Sequence, residues 1–170
     1  IIDFPSKYLF TQEDINSKTI NKKLCNNGDD LIIRGEYDIN LKGIDVVIGN
    51  LGISNFKIKS FENIKEIRGD LWFNESEYKP LLESLGNLEI IRGKASIPYY
   101  IKSLGKLNFV EGNLNLIGTT IKSIDKEITI NGDLLLPHKV EVDLSKVIVK
   151  GKIKRIYTKI DDNLIVFDKN

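Results

Sequence analysis

A single cysteine (Cys25), a single histidine (His138), a single tryptophan (Trp72) and no methionine set the first limits on this 170-residue chain. One cysteine excludes an intramolecular disulfide and favours a reducing compartment. One histidine, with no second His or Cys at ligand spacing, argues against structural zinc and metal-dependent hydrolysis. Charge of one sign is equally lacking: 25 basic against 24 acidic residues leave a formal net charge of +1, so no global field draws nucleic acid or an anionic membrane. No apolar run approaches the roughly 18 residues of a membrane-spanning helix, and Ile1-Ile2-Asp3-Phe4 is not the apolar region of a signal peptide. Walker A, GxGxxG, GxSxG and HExxH signatures are missing, so neither a cofactor nor an enzymatic activity is expected. No Pro/Gly/Ser-rich linker divides the chain, which predicts one domain over residues 1–170.

What is present is a repeat. Its clearest copy is Ile67-Arg68-Gly69-Asp70-Leu71-Trp72-Phe73, which alternates apolar and polar residues across a central glycine and reads as one strand with one buried face. Set in register on the first apolar residue after the glycine, the copies fall at Leu31, Leu51, Leu71, Ala95, Leu114, Leu134 and Ile153, steps of 20, 20, 24, 19, 20 and 19 residues. A second apolar residue follows two places on in all but the last copy: Ile33, Ile53, Phe73, Ile97, Leu116 and Leu136. Ahead of the glycine runs Ser60-Phe61, Ile64, Ile67, which returns as Ser84-Leu85, Leu88, Ile91 and as Ser103-Leu104, Leu107, Val110. A fixed period near 20 residues specifies a solenoid. Five or six apolar side chains per coil, about 1.5–3 kcal/mol each, do not offset about 1–2 kcal/mol per ordered residue, so single coils must stack into one apolar column. The expected fold is therefore mainly β: a right-handed solenoid of about seven coils with a parallel sheet over residues 28–155. A small residue at the glycine position would let the connecting segment pass close to the strand.

The runs Leu114-x-Leu116-x-x-Thr119-x-Ile121 and Leu51-x-Ile53-x-x-Phe56-x-Ile58 resemble the core of leucine-rich repeats, and Ser84 to Gly93 resembles the repeats of receptor L domains. Similar phrases occur in leucine-rich-repeat-like proteins of bacteria and bacteriophages. The asparagine ladder of ordinary leucine-rich repeats has Thr119 and Phe56 in its place. The resemblance implies a binding protein of the bacterial or infected-host cytoplasm, including an inhibitor that acts by steric occlusion.

Residues 1–27 lie outside the register. Thr11-Gln12-Glu13-Asp14 reads as a helix start, predicting a short helical N-terminal cap. Cys25, beside the turn signal Asn26-Asn27-Gly28, has no histidine nearby and reads as structural. The long step between Leu71 and Ala95 inserts residues around Asn74 to Pro80, and insertions in repeats become loops, often on the binding face. Aromatic residues gather there: Trp72, Tyr78, Tyr99 and Tyr100, beside Arg68, Arg92 and Lys94. Either these tyrosines pad the outside of a coil, or the set forms a protein-binding hot spot. Outward columns of Arg68/Asp70/Trp72, Arg92/Lys94/Ser96, Glu111/Asn113/Asn115 and Asn131/Asp133/Leu135 predict a broad polar face suited to a macromolecule.

Lys150, Lys152, Lys154 and Arg155 close the series. They read as lysine protection of a sheet edge, or as a nucleic-acid site. Residues 156–170 predict a β cap, with Leu164 to Phe167 closing after the turn Asp161-Asp162-Asn163. Without that closure the basic strand would pair with itself, so the chain is expected as a monomer or an edge-paired homodimer. Three functions follow. The first is a non-enzymatic module that binds a partner protein. The second is a carbohydrate-binding or carbohydrate-cleaving solenoid, with Asp70 and Asp133 or Asp29-Asp30 as its acids. The third is nucleic-acid binding through the basic strand.

Overall fold

The repeat closes on itself through hydrogen bonds between coils. A computed structural model describes residues 31–35, 41–74, 79–156 and 166–169. The N-terminal cap, Cys25, Asp29-Asp30, Tyr78 and the turn at Asp161 lie outside the described residues.

Among the described residues the structure is all strand and turn, with fourteen strands in two sheets. Sheet A holds β1 (Leu31–Gly35), β3 (Leu51–Asn55), β5 (Leu71–Phe73), β7 (Ala95–Ser96), β9 (Leu114–Asn115), β11 (Leu134–Pro137), β13 (Ile153–Ile156) and β14 (Val166–Lys169), in that order. Sheet B holds β2 (Val46–Val47), β4 (Glu66–Ile67), β6 (Ile90–Ile91), β8 (Phe109–Val110), β10 (Ile128–Ile130) and β12 (Val147–Val149). Every pairing is parallel except β13 with β14. From β1 to β13 the chain makes six turns, a β-solenoid. Coil 1 begins at β2 and coil 6 at β12.

The sequence register is the physical register: Leu31, Leu51, Leu71, Ala95, Leu114, Leu134 and Ile153 pair in succession along sheet A. The strand expected to run through the glycine is, however, two strands in different sheets. The glycine sits between them, at a three-residue corner such as Arg68-Gly69-Asp70. There the Gly69 N–H donates to Gly49 O at 2.9 Å, Gly93 to Gly69 at 2.9 Å, Gly112 to Gly93 at 2.9 Å and Gly132 to Gly112 at 3.2 Å. A Cβ on Gly112 would lie 2.7 Å from Gly93 O, so glycine is needed because the preceding coil's backbone is already in contact. The close neighbour is the glycine of the preceding coil, rather than a passing connection.

The residue after each glycine adds a second ladder. Asn50 Oδ1 accepts the Asp70 N–H at 2.6 Å and Asp70 Oδ1 accepts the Lys94 N–H at 2.8 Å. Asn113 Oδ1 accepts Asp133 N–H and Asp133 Oδ1 accepts Lys152 N–H, both at 2.8 Å. The ladder absent from the leucine-rich-repeat position thus exists one corner away.

The third side of each coil carries the serine phrase. Ser60, Ser84 and Ser103 Oγ accept the N–H two residues on, at 2.8, 3.0 and 3.0 Å, so each serine sets a turn. The residue donating that bond has a left-handed backbone: Glu62 at φ 51°, Gly86 at 56° and Gly105 at 57°. Between the three sides lies one apolar column, to which coil 1 gives Leu51, Ile53, Ile58, Phe61 and Ile64. Phe61 stacks on Phe73 at 6.3 Å and Phe73 meets Tyr100 edge-on at 6.1 Å, carrying aromatic packing across the first three coils.

The basic strand β13 is not an edge. β14 pairs with it antiparallel, Ile153 opposite Lys169 and Ile156 opposite Val166. This is the expected closing strand, displaced by two residues, and it occupies the side through which an edge-paired dimer would form.

Candidate functional site

Because each coil bends at its glycine, the single outward face expected from the sequence divides in two. The residue following each sheet B strand (Arg68, Arg92) lies on one side of the corner. The residue after the glycine (Asp70, Lys94) and the sheet A outward positions (Trp72, Ser96) lie on the other.

Arg68 and Arg92 share an acid. Glu66 Oε1 lies 3.2 Å from Arg92 Nε and 3.6 Å from Arg68 Nε, and the Arg92 guanidinium sits 5.5 Å over the Phe109 ring. Both arginines keep about half of their side-chain surface in solvent, so these exposed pairs hold orientation more than they add stability.

Trp72 points outward on sheet A but is not free of it. Its indole covers Gly52 of the preceding coil, occupying the space of a side chain there. One face of the ring is therefore buried and the rest is open. The two tyrosines separate: Tyr99 is 59% exposed, whereas Tyr100 is 6% exposed and belongs to the core. Burial, reinforced by the neighbouring Tyr99, pushes the Tyr100 phenol up to about 12. Tyr100 is thus removed from the candidate contact set, and its ring, 5.4 Å from Tyr99 and edge-on, fixes Tyr99 from beneath.

Lys94 breaks the corner ladder. Its amide takes the Asp70 carboxylate, but its own side chain has no acceptor to offer the amide of Asn113 in the next coil. Along coil 3 Tyr99 is five steps on from Lys94, at most about 16 Å of extended chain, and Trp72 belongs to the preceding coil. All three stand on the sheet A side of the corner, with the Trp72 ring turned back over Gly52.

The basic strand is dispersed. Lys154 Nζ pairs with Asp133 Oδ2 at 3.3 Å, and Arg155, in the inward register of Leu136, donates to the Val140 carbonyl at 3.0 Å. The Lys152 amide bonds Asp133, while Lys150 stands at the corner beyond sheet B. The amide of Lys152, with Lys154 adding to it against a smaller effect of burial, holds the Asp133 carboxyl below the usual range. Asp70 and Asp133 are ladder residues three coils apart and share no acidic site. Among the described residues no cluster of three His, Cys, Asp or Glu side chains is placed to hold a metal.

Sequence reasoning missed one feature. The outward positions of sheet B read Val46, Glu66, Ile90, Phe109, Thr129 and Ile148 in register, an apolar stripe interrupted twice. Its signal was the doublets Val46-Val47, Ile90-Ile91 and Phe109-Val110, in which one apolar residue faces the core and the other solvent.

No protein-family model matches the chain, and comparison with curated proteins and with solved structures found no match to either.

Proposed function

We propose that the protein is a non-enzymatic interaction module. It holds a partner protein against the outer face of sheet A and the turn that follows, with Tyr99, Trp72 and Lys94 as anchors and Arg68 and Arg92 across the corner. The observation that carries this reading is the broken ladder at Lys94 in the coil that presents Tyr99. The chain forgoes a backbone hydrogen bond to place a cation there, and local rules are broken in this way at functional positions. A tyrosine buttressed from below loses little freedom on binding, and Tyr, Trp and Arg dominate protein hot spots. Lys94 on the side of the two aromatic rings, with Arg68 and Arg92 across the corner, suits an acidic surface. The mode of action that follows is occupancy, masking the partner's own contact surface.

The test begins with capture of a partner on the immobilised protein, followed by titration of that purified partner. Tyr99→Ala is expected to weaken binding at least tenfold while the urea midpoint stays in place. Full affinity in a folded Tyr99→Ala/Trp72→Ala variant would remove this face.

A further inference from the structure

The corner ladder leaves one backbone donor without its rung. From coil to coil a side-chain oxygen accepts the amide of the aligned residue one coil on: Asn50 that of Asp70, Asp70 that of Lys94, Asn113 that of Asp133 and Asp133 that of Lys152. The step from Lys94 to Asn113 is different. The pairing of Ala95 with Leu114 sets these two residues side by side in coils 3 and 4, about 4.8 Å apart at the usual spacing. The Asn113 carbonyl accepts the Ala95 N–H at 2.9 Å and its side chain serves Asp133. Its own N–H has no acceptor among the described residues.

The glycines report the same difference. A Cβ added to Gly69, Gly93, Gly132 or Gly151 would meet first the ladder oxygen of the coil before, from Asn50, Asp70, Asn113 or Asp133. At Gly112 its three nearest neighbours are all backbone, from Gly93 and Lys94. A buried donor left in this way would be costly, but Lys94 and Asn113 are both exposed, and the neighbouring ladder bonds also lie at the surface. Solvent serves such a donor in the free protein, and a group from outside can replace it.

Lys94 supplies the other half. Among the described residues its ammonium enters no ion pair, whereas Arg68 and Arg92 share Glu66 and Lys154 is paired with Asp133. Asp70 is already held on the Lys94 amide. An open N–H and an unpaired cation thus stand on adjacent coils. A carboxylate answers both, since one oxygen takes the amide as Asp70 and Asp133 do in their own coils and its charge takes the ammonium. A neutral acceptor would satisfy the amide alone.

We infer that a side-chain carboxylate of the partner protein, from Asp or Glu, completes the ladder by accepting the Asn113 N–H and pairing with the Lys94 ammonium. The inference rests on the partner face described above and adds the chemistry which that face selects. Bound there, the partner's acid joins two coils that the side-chain ladder leaves unjoined.

The test uses the full chain and the purified partner. Two substitutions remove the same charge and differ at the rung: Lys94→Ala leaves the Asn113 amide open, whereas Lys94→Asn fills it from within, as Asn50 does for Asp70. Lys94→Ala is expected to weaken binding about tenfold and Lys94→Asn about tenfold further. Alanine is the smaller side chain, so lost contact alone predicts the reverse order. The Asn113 amide should exchange at least tenfold more slowly in the complex than alone, and one Asp→Asn or Glu→Gln variant of the partner should lose no further affinity against Lys94→Ala. Without a partner, acetate titrated to half-molar against sodium chloride of equal ionic strength should move the Asn113 amide proton downfield, and should leave it in place in Lys94→Asn. Equal losses in the two variants, an Asn113 amide as fast in the complex as alone, or no shift specific to acetate would each overturn the inference. With Tyr99→Ala still weakening binding, those results leave the partner face standing. A slowed Asn113 amide beside full affinity in Tyr99→Ala/Trp72→Ala would instead support the carboxylate rung and remove the aromatic anchors.

Discussion

Three glycines in this solenoid should respond to the same alanine substitution with three different outcomes. At Gly112 an added Cβ lies 2.7 Å from Gly93 O, 2.8 Å from Gly93 C and 2.9 Å from Lys94 N, all backbone. Ordinary contact begins near 3.4 Å, so coils 3 and 4 must part by 0.7 Å at that corner (3.4 − 2.7). Parting by that much carries the 2.9 Å Gly112–Gly93 hydrogen bond out of range. Losing it costs about 1 kcal/mol and the overpacking about 1–3 kcal/mol. The stiffer unfolded chain returns about 0.4–1 kcal/mol, leaving a net destabilisation of about 1–3.6 kcal/mol. Gly86 is the intermediate case. Nothing lies within 4 Å, but φ is +56°, so alanine meets only the left-handed backbone penalty, about 1 kcal/mol net. Gly118 has its nearest neighbours at 3.8 and 4.0 Å and no left-handed φ. There the unfolded-state effect stands alone and alanine should stabilise by about 0.4–1 kcal/mol. Urea unfolding at constant slope measures all three. A Gly112→Ala protein as stable as wild type, or equal losses at Gly112 and Gly118, would refute the account of the corner.

Replacing Lys94 by asparagine supplies the missing acceptor for the Asn113 amide and should raise stability by about 0.5–1.5 kcal/mol, visible as a higher urea midpoint, while weakening partner binding. The Asp133 carboxyl, held low first by the Lys152 amide, favours the folded state above its unfolded value of roughly 3.9. That stability is lost as pH falls through the folded value. Asp133→Asn, which retains the acceptor as Asn113 does in the coil before, should show a flatter acid unfolding curve below pH about 4. The Tyr100 phenol, raised chiefly by burial from 10.0 to about 12, contributes stability that is complete below the unfolded value and is lost as pH rises towards the folded one. A Tyr100→Phe variant should lose the slope between those values, and an absorbance titration should find one tyrosine fewer ionising late.

The apolar column was legible from sequence because inward positions recur at the coil length, and the residues that pair across sheet A are the ones that align in the repeat. The corner was not legible. Ile67, Gly69 and Leu71 alternate inward whether the chain runs straight or bends, so a single strand and two strands in two sheets leave the same pattern. The ladder was hidden for a related reason: Asn50, Asp70 and Asn113 look like ordinary outward polar residues until their acceptors are seen against the next coil's amides. Tyr99 and Tyr100 were separable in principle: Tyr100 stands five places after Ala95 as the buried Thr119 stands five after Leu114, whereas Tyr99 aligns with Gly118, and grouping the two as neighbouring aromatics hid that difference. The closing strand was anticipated as a cap, but its antiparallel pairing, which removes the edge from β13, follows from the path of the chain and not from any local pattern.

The missing rung at Lys94 also bears on how the molecule comes apart. A solenoid's cohesion is a sum of nearest-neighbour terms along one axis, and the corner ladder is continuous from Asn50 to Lys94 and again from Asn113 to Lys152. Between the two runs lies a seam, in the coil where the inward leucine of its neighbours becomes Ala95. Hydrogen exchange should then report two blocks of protection, with the amide of Asn113 as the fast site between them. A partner bound across Trp72, Lys94 and Tyr99 would grip the first block at its margin, so that its affinity and the coupling of the two halves rise and fall together.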